Sequence, residues 1–212
     1  MSLASLDWKL VRQHYDEREA AHRRLLALHK GGQKKQFFDL AVGISDKNGN
    51  YSAVEHSLGP KIIAHNTNPQ QRVFELASNF LTVKSGLDVP SLIRAAALSY
   101  LQIGVGSELS CMMNPTVCWV ANSRTIWAHL LIKHNDNYSK ADEELKLYRD
   151  SDASSEMAYR IWVDIHKTLD TAMTRLATMG TQEAKAHGIK SGSFKYLWAD
   201  AVANELYAEH FY

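Results

Sequence analysis

Arg124 and His129 stand five residues apart, in a stretch that otherwise carries little charge. From Val89 to Ile132 only three residues are formally charged: Arg94, Glu108 and Arg124. The rest are Leu, Ile, Val, Ala, Met, Trp, Tyr, Cys and small polar residues. Such a run has to be buried, and a charge buried without a partner is costly. These charges therefore either pair with one another as struts or form a site. The simplest pairing sets Glu108 against Arg94 or Arg124. Removing one member of such a pair costs about 3–5 kcal/mol, although the intact pair contributes little in net terms.

A second group lies near the N-terminus. At helical spacing, His14, Arg18, His22 and His29 project onto the apolar side of a helix over about Leu6–Lys30, among Val11, Tyr15 and Leu25. Polar residues on a buried stripe are uncommon. They either bond to facing helices or a subunit interface, or line a cleft for an anion, since histidine charge is tunable near neutrality. Glu19 and His22 have the Glu-x-x-His spacing of di-iron bundles. Those sites need a second copy and further glutamates, and no second copy occurs, so the expectation is no metal and no cofactor.

The Arg-x4-His spacing of Arg124 and His129 resembles the Arg-x4–6-His motif of HEPN-domain ribonucleases, which are small helical bundles. The resemblance covers these two positions and the helical background. It implies metal-independent RNA cleavage at a dimer interface, with Arg124 and His129 as the catalytic pair. That family commonly has Asn, Asp or His directly after the arginine, where this chain has Thr125. On a straight helix the two side chains lie about 140° apart, so they converge only where several helices meet.

Other chemistries find less support. Gly104-Val-Gly106-Ser107 lacks the Lys-Ser/Thr of a phosphate loop and follows a helix, where a dinucleotide fingerprint follows a strand. No Gly-x-Ser-x-Gly elbow occurs. Cys111 and Cys118 lack the spacing of a structural zinc site and read as buried thiols in a reducing cytosol. The group Asp164, His166 and Asp170 reads as the polar side of a long helix.

Helices must position these residues. The chain has 212 residues with 45% hydrophobic and 22% charged, which are ordinary globular values. The net charge of +1 argues against a strongly basic nucleic-acid or membrane surface, so nucleic acid is not an indicated partner. Four prolines are few and favour long helices. Polar interruptions in Val89–Ile132 argue against a membrane hairpin, which needs about 20 apolar residues per span. The N-terminus has no export pattern; Met1–Ser2–Leu3 reads as a cloning remnant, and the expected compartment is the cytoplasm.

Asn68–Pro69 and Asn114–Pro115 each place a capping residue before a proline suited to the first helical position. They predict helices over about Pro69–Val83 and Pro115–His134. Asp88 caps a helix from Val89 to about Ile103, after which Gly104 and Gly106 loosen the chain and kink Glu108 inward. Ser139 starts a short helix through Tyr148. Ser154 or Ser155 starts another that stops at Gly180, and Thr181–His187 makes a separate turn of helix. Ser193 caps a last helix running to the C-terminus. In residues 36–63, Phe38, Leu40, Val42 and Ile44 alternate with polar or small residues. With Asn48–Gly49 as a turn, this predicts a small β-hairpin; a helix over Lys34–Val42 and a loop is the competing reading.

The expected fold is all-α: one helical domain over residues 1–212, with six or seven helices. The last helix carries Phe194, Tyr196, Trp198, Tyr207, Phe211 and Tyr212 around its circumference, which suits deep burial or docking on a second chain. The leading expectation is a helical interaction or assembly protein that forms a homo-oligomer through this helix. The competing expectations are the ribonuclease, or another phosphate-acting enzyme, using Arg124 and His129, and a sensor holding a small molecule among its central helices.

Overall fold

The computed structural model describes residues 3–149 and 156–212. It is all-helical, with 75% helix and no strand among the described residues. Eleven α-helices are present among the described residues, so both the count of six or seven and the β-hairpin are corrected. The trace divides into two compact units, Met1–Asp16 with Ala121–Tyr212, and Glu17–Val120. We call these the terminal unit and the middle unit. One boundary falls inside α1 (Trp8–Lys30), between Asp16 and Glu17.

In the middle unit α1 is followed by α2 (Lys34–Ala41), α3 (Tyr51–Glu55), α4 (Leu58–His65) and α5 (Pro69–Thr82), then α6 (Val89–Ala96) and α7 (Ile103–Met113). α5 is the hub and packs against α2, α6 and α7, while α3 packs on α4 and α7. The supposed hairpin is α2 with a short 3-10 turn at Lys47–Gly49. Phe37, Phe38, Leu40 and Ala41 are all buried. Adjacent Phe37 and Phe38 cannot share one face of a strand, whereas a helix puts i, i+1, i+3 and i+4 on a single stripe. Asn48–Gly49 turns the chain in that 3-10 segment, whose first free amide, Asn48 N–H, is capped by the Asp46 carboxylate at 3.0 Å.

The long helix expected from Val89 to Ile103 ends at Ala96. Ala97 takes a left-handed conformation (φ 49°), and the Arg72 guanidinium caps the freed Ala96 carbonyl at 2.6 Å. Gly104 and Gly106 do not loosen the chain but lie inside α7. A Cβ at Gly106 would meet Ile93 Cδ1 at 2.5 Å, so this glycine permits close packing of α6 on α7 rather than a kink. Asn114–Pro115 opens no helix. The next one starts eight residues later, where Asn122 accepts from the Arg124 and Thr125 amides and its own N–H donates to Thr125 Oγ1. A complete capping box fixes the start more strongly than a proline alone.

The terminal unit contains α8 (Ser123–Lys133), α9 (Tyr138–Arg149), α10 (Glu156–Ala186) and α11 (Lys195–Phe211). α11 lies against α10 and α8, and α9 and α10 both pack on α8. Gly180 does not end a helix: α10 passes through it to Ala186, and the missing side chain admits Val202 of α11, whose Cγ2 would lie 2.7 Å from a Cβ there. The start placed at Ser154 or Ser155 lies outside the described residues. Ser193 does not cap α11. The cap position is Phe194, and the Tyr15 hydroxyl accepts from the Ser193 and Phe194 amides at 2.9 and 3.2 Å. Ten residues of α11, including Tyr196, Trp198 and Tyr207, are buried within the chain itself. Among the described residues no helix is long and apolar enough to cross a membrane.

Candidate functional site

Glu108 takes its partner from α1, not from Arg94 or Arg124. Arg18 Nη1 donates to Glu108 Oε1 at 2.8 Å, with the two side chains 0% and 1% exposed. The same Nη1 donates to the Asn48 carbonyl at 2.9 Å, and the guanidinium lies 5.3 Å over the Tyr51 ring. The Glu108 carboxylate also caps α3: Oε1 accepts from Tyr51 N–H at 2.7 Å, and Oε2 accepts from Ser52 N–H at 2.9 Å and Ser52 Oγ at 2.7 Å. Asn50 completes this start, accepting from Ala53 N–H and donating to the Val105 carbonyl, both at 3.0 Å. A negative carboxylate at a helix N-terminus satisfies orphan amides and interacts favourably with the positive end of the helix dipole.

This node ties α1, α3 and α7 together inside the middle unit. It is closed to solvent, and its carboxylate is bonded to the guanidinium and to the start of α3. The Asn48–Ser52 segment was its missing partner. Asn50 before Tyr51-Ser52-Ala53 was the sequence signal for a capped helix there, masked by the reading of Asn48–Gly49 as a hairpin turn.

The remaining strip residues separate. His14 is half-buried in the terminal unit. His22 is buried and donates from Nδ1 to the Met112 carbonyl at 2.6 Å. Burial pushes its imidazole below the ordinary histidine value, against the raising effect of that bond and of nearby Glu19. His29 stacks on Phe74 (centroids 4.2 Å, 13°), and its Nε2–H donates to Ser78 Oγ at 2.9 Å. Ser78 Oγ in turn gives its own proton to the Phe74 carbonyl. Arg94 is exposed near the end of α6.

Arg124 and His129 share α8 and both are half-buried. The Arg124 guanidinium lies 5.9 Å over the Tyr207 ring of α11. His129 is within electrostatic reach of Lys133, His134 and Glu144, and burial foremost, then Lys133, lowers its pKa. A cluster that sequence reasoning missed adjoins it. Glu144 accepts from Lys133 and His134 at 2.6 and 2.7 Å, and Asp142 accepts from Trp127 Nε1 at 2.7 Å and His210 Nε2 at 2.9 Å. His210 and Asp142 are 68 residues apart, so no local pattern could reveal them.

Among the described residues no group of three His, Cys, Asp or Glu side chains could hold a metal ion. Cys111 and Cys118 are both buried free thiols, and burial pushes the Cys118 thiol up to about 12, against a hydrogen bond with Ser110. An open cleft of about 410 Å³ runs along α1 and α2, with Ala27, Leu28 and Leu40 in its lining and Arg24 and Asp39 as its charged groups. None of the candidate site residues read from the sequence lines it. No family model, curated protein or solved structure matches the chain.

Proposed function

We propose that this chain is a helical interaction protein that self-associates, and that its chemistry-bearing core residues serve the fold. One observation carries this reading. The buried Arg18–Glu108 pair is spent on internal bonds, while Ile44, Val54 and Ile63 stand 45%, 39% and 45% exposed around Gly43 and Gly59 of the middle unit. Ile44 abuts Gly59, Val54 abuts Gly43, and Ile63 lies one helical turn beyond Gly59 on α4. Grouped branched apolar side chains on a surface are a mark of association. A second copy is the favoured occupant, because a net charge of +1 leaves little repulsion between two identical chains. The aromatic side chains of α11 that suggested docking are largely enclosed within their own unit, which leaves Phe211 and Tyr212 as its more accessible end.

Sedimentation velocity over a concentration series tests the reading. A dimer that dissociates in an Ile44→Glu/Ile63→Glu variant with unchanged helical circular dichroism supports it. A wild-type monomer at high micromolar concentration refutes it. The ribonuclease reading is second, favoured by the half-buried state of Arg124 and His129, which are not enclosed as fully as Arg18 and Glu108. RNA cleavage in EDTA that is lost in both Arg124→Ala and His129→Ala would establish it instead.

A further inference from the structure

Between α6 and α7 of the middle unit, residues 97–102 hold an aromatic ring at the surface on an unfavourable backbone. Ala97 and Tyr100 both take left-handed conformations, at φ 49° and 65°. For a bulky residue such as tyrosine that region is strained, and it persists only where the surroundings over-determine it. Here they do. Leu98 and Leu101 are buried on either side of the exposed Ser99–Tyr100 pair. The Asn66 side chain, at the end of α4, accepts from Ser99 N–H at 2.9 Å and donates to the Ser99 carbonyl at 3.0 Å. Arg72 of α5 donates to the Ala96 and Ala97 carbonyls at 2.6 and 3.1 Å. What this braced loop presents is the Tyr100 side chain, 39% exposed. An exposed ring adds little to the core, so packing does not account for the strained backbone beneath it.

Two exposed side chains of α4 stand against the ring. His65 meets it in a T-shaped contact (centroids 4.8 Å, 64°), and Lys61 Nζ lies 5.9 Å from its centroid. His65 Nδ1–H donates to the Lys61 carbonyl at 3.0 Å, which leaves Nε2 as its open position. Among the described residues Lys61 has no carboxylate partner, and neither the Tyr100 hydroxyl nor His65 Nε2 has a hydrogen-bond partner. The surrounding unit is basic although the whole chain is close to neutral: Glu17–Val120 holds 11 Lys and Arg residues against 8 Asp and Glu.

We propose that Tyr100, His65 and Lys61 form a binding platform for a nucleoside phosphate, free or within a single strand. The base stacks on the Tyr100 ring, and Lys61 exchanges its contact with that ring for one with the phosphate. The Tyr100 hydroxyl and His65 Nε2 supply polar contacts beside them. An aromatic face accepts any base by stacking, and an adjacent cation tracks the phosphate. An uncharged sugar or an apolar segment would leave Lys61 without a counter-charge. On α4, Lys61 and His65 lie one turn apart on one face, about 160° from Ile63. The platform and the apolar patch therefore do not compete, and this inference rests neither on self-association nor on Arg124 and His129.

The test is fluorescence anisotropy of the full chain with a labelled oligo(U) strand of about ten nucleotides, with AMP as competitor. Saturable, salt-sensitive binding of the strand is expected at low salt. Tyr100→Gly removes the ring and relieves the backbone. It should weaken binding about five- to a hundredfold, while its thermal midpoint stays within about 3 °C of the wild type. Tyr100→Phe keeps the stacking face and should bind within about threefold of the wild type, since one neutral hydrogen bond is worth little more. Lys61→Gln should reduce the logarithmic salt slope by about 0.7. Competition by AMP would name a free nucleotide as the source of the ligand, and binding of the strand alone would name single-stranded nucleic acid. No binding of either probe at submillimolar protein in low salt would overturn the proposal. So would binding undiminished in Tyr100→Gly, or a midpoint lowered in that variant by much more than 3 °C, which would make the ring a packing residue.

Discussion

Glu108→Ala should be among the most damaging single substitutions in the middle unit. The carboxylate accepts four hydrogen bonds: from Arg18 Nη1, the amides of Tyr51 and Ser52, and Ser52 Oγ. Truncation leaves a guanidinium with no exposed surface facing a cavity, a situation that costs about 3–5 kcal/mol. The amides at the start of α3 add to this, at about 1 kcal/mol per lost bond, less whatever water recovers. At a urea slope of about 2–3 kcal/mol/M, the midpoint should fall by about 1–2 M. Urea denaturation followed by circular dichroism measures it, and exchange of the amides in Tyr51–Glu55 shows whether the loss starts at α3. The pairing itself is isolated by a double-mutant cycle with Arg18→Met and Glu108→Leu. Because the second change removes the charge orphaned by the first, the double variant should cost at least about 2 kcal/mol less than the sum of the singles. A loss below about 1 kcal/mol in Glu108→Ala, or simple additivity in the cycle, would refute the strut.

His166, read from the sequence as part of the polar side of its helix, is buried and sets an acid limit. Burial depresses its pKa from 6.5 to about 4. The unfolded chain then binds the extra proton in that interval, so its contribution is whole above pH 6.5 and is lost as pH falls toward 4, to a total of about 3 kcal/mol. His22 and His129, also lowered by burial, act with the same sign. Thermal melts at pH 7 and pH 4.5 measure the effect, and His166→Leu should flatten the difference. Gly49→Ala should destabilise by about 2 kcal/mol or more in a urea titration, since a Cβ there would overlap the Leu40 carbonyl and neither backbone can yield. Cys118 is buried, and its thiol is pushed up to about 12, so iodoacetamide at pH 8 should label it only after denaturation, as read by mass spectrometry.

The polar residues most worth attention were legible in the sequence, since a charge such as Glu108 in an apolar run and an arginine on an apolar stripe both demand partners. Pairing them was not legible. Arg18 and Glu108 are 90 positions apart, and Arg94 and Arg124 were closer in sequence yet lie elsewhere, one exposed near the end of α6 and the other over Tyr207. The contact between His210 and Asp142, 68 residues apart, carried no local signal at all.

Composition, periodicity and capping chemistry alone determined that this is a helical protein, where α1 and α5 run, and that the core contains charge. These properties depend on neighbours three or four residues away, so the local sequence encodes them. Tertiary structure decided what glycine and proline meant. Gly106 and Gly180 look like breaks, yet they stay helical because Ile93 and Val202 pack against the space that a side chain would fill. Asn114–Pro115 looks like a start but gives way to the capping box at Asn122. Tertiary structure also turned the most suggestive charges into a strut, because burial at 0–1% exposure leaves an ion pair only its own hydrogen-bond partners to act upon.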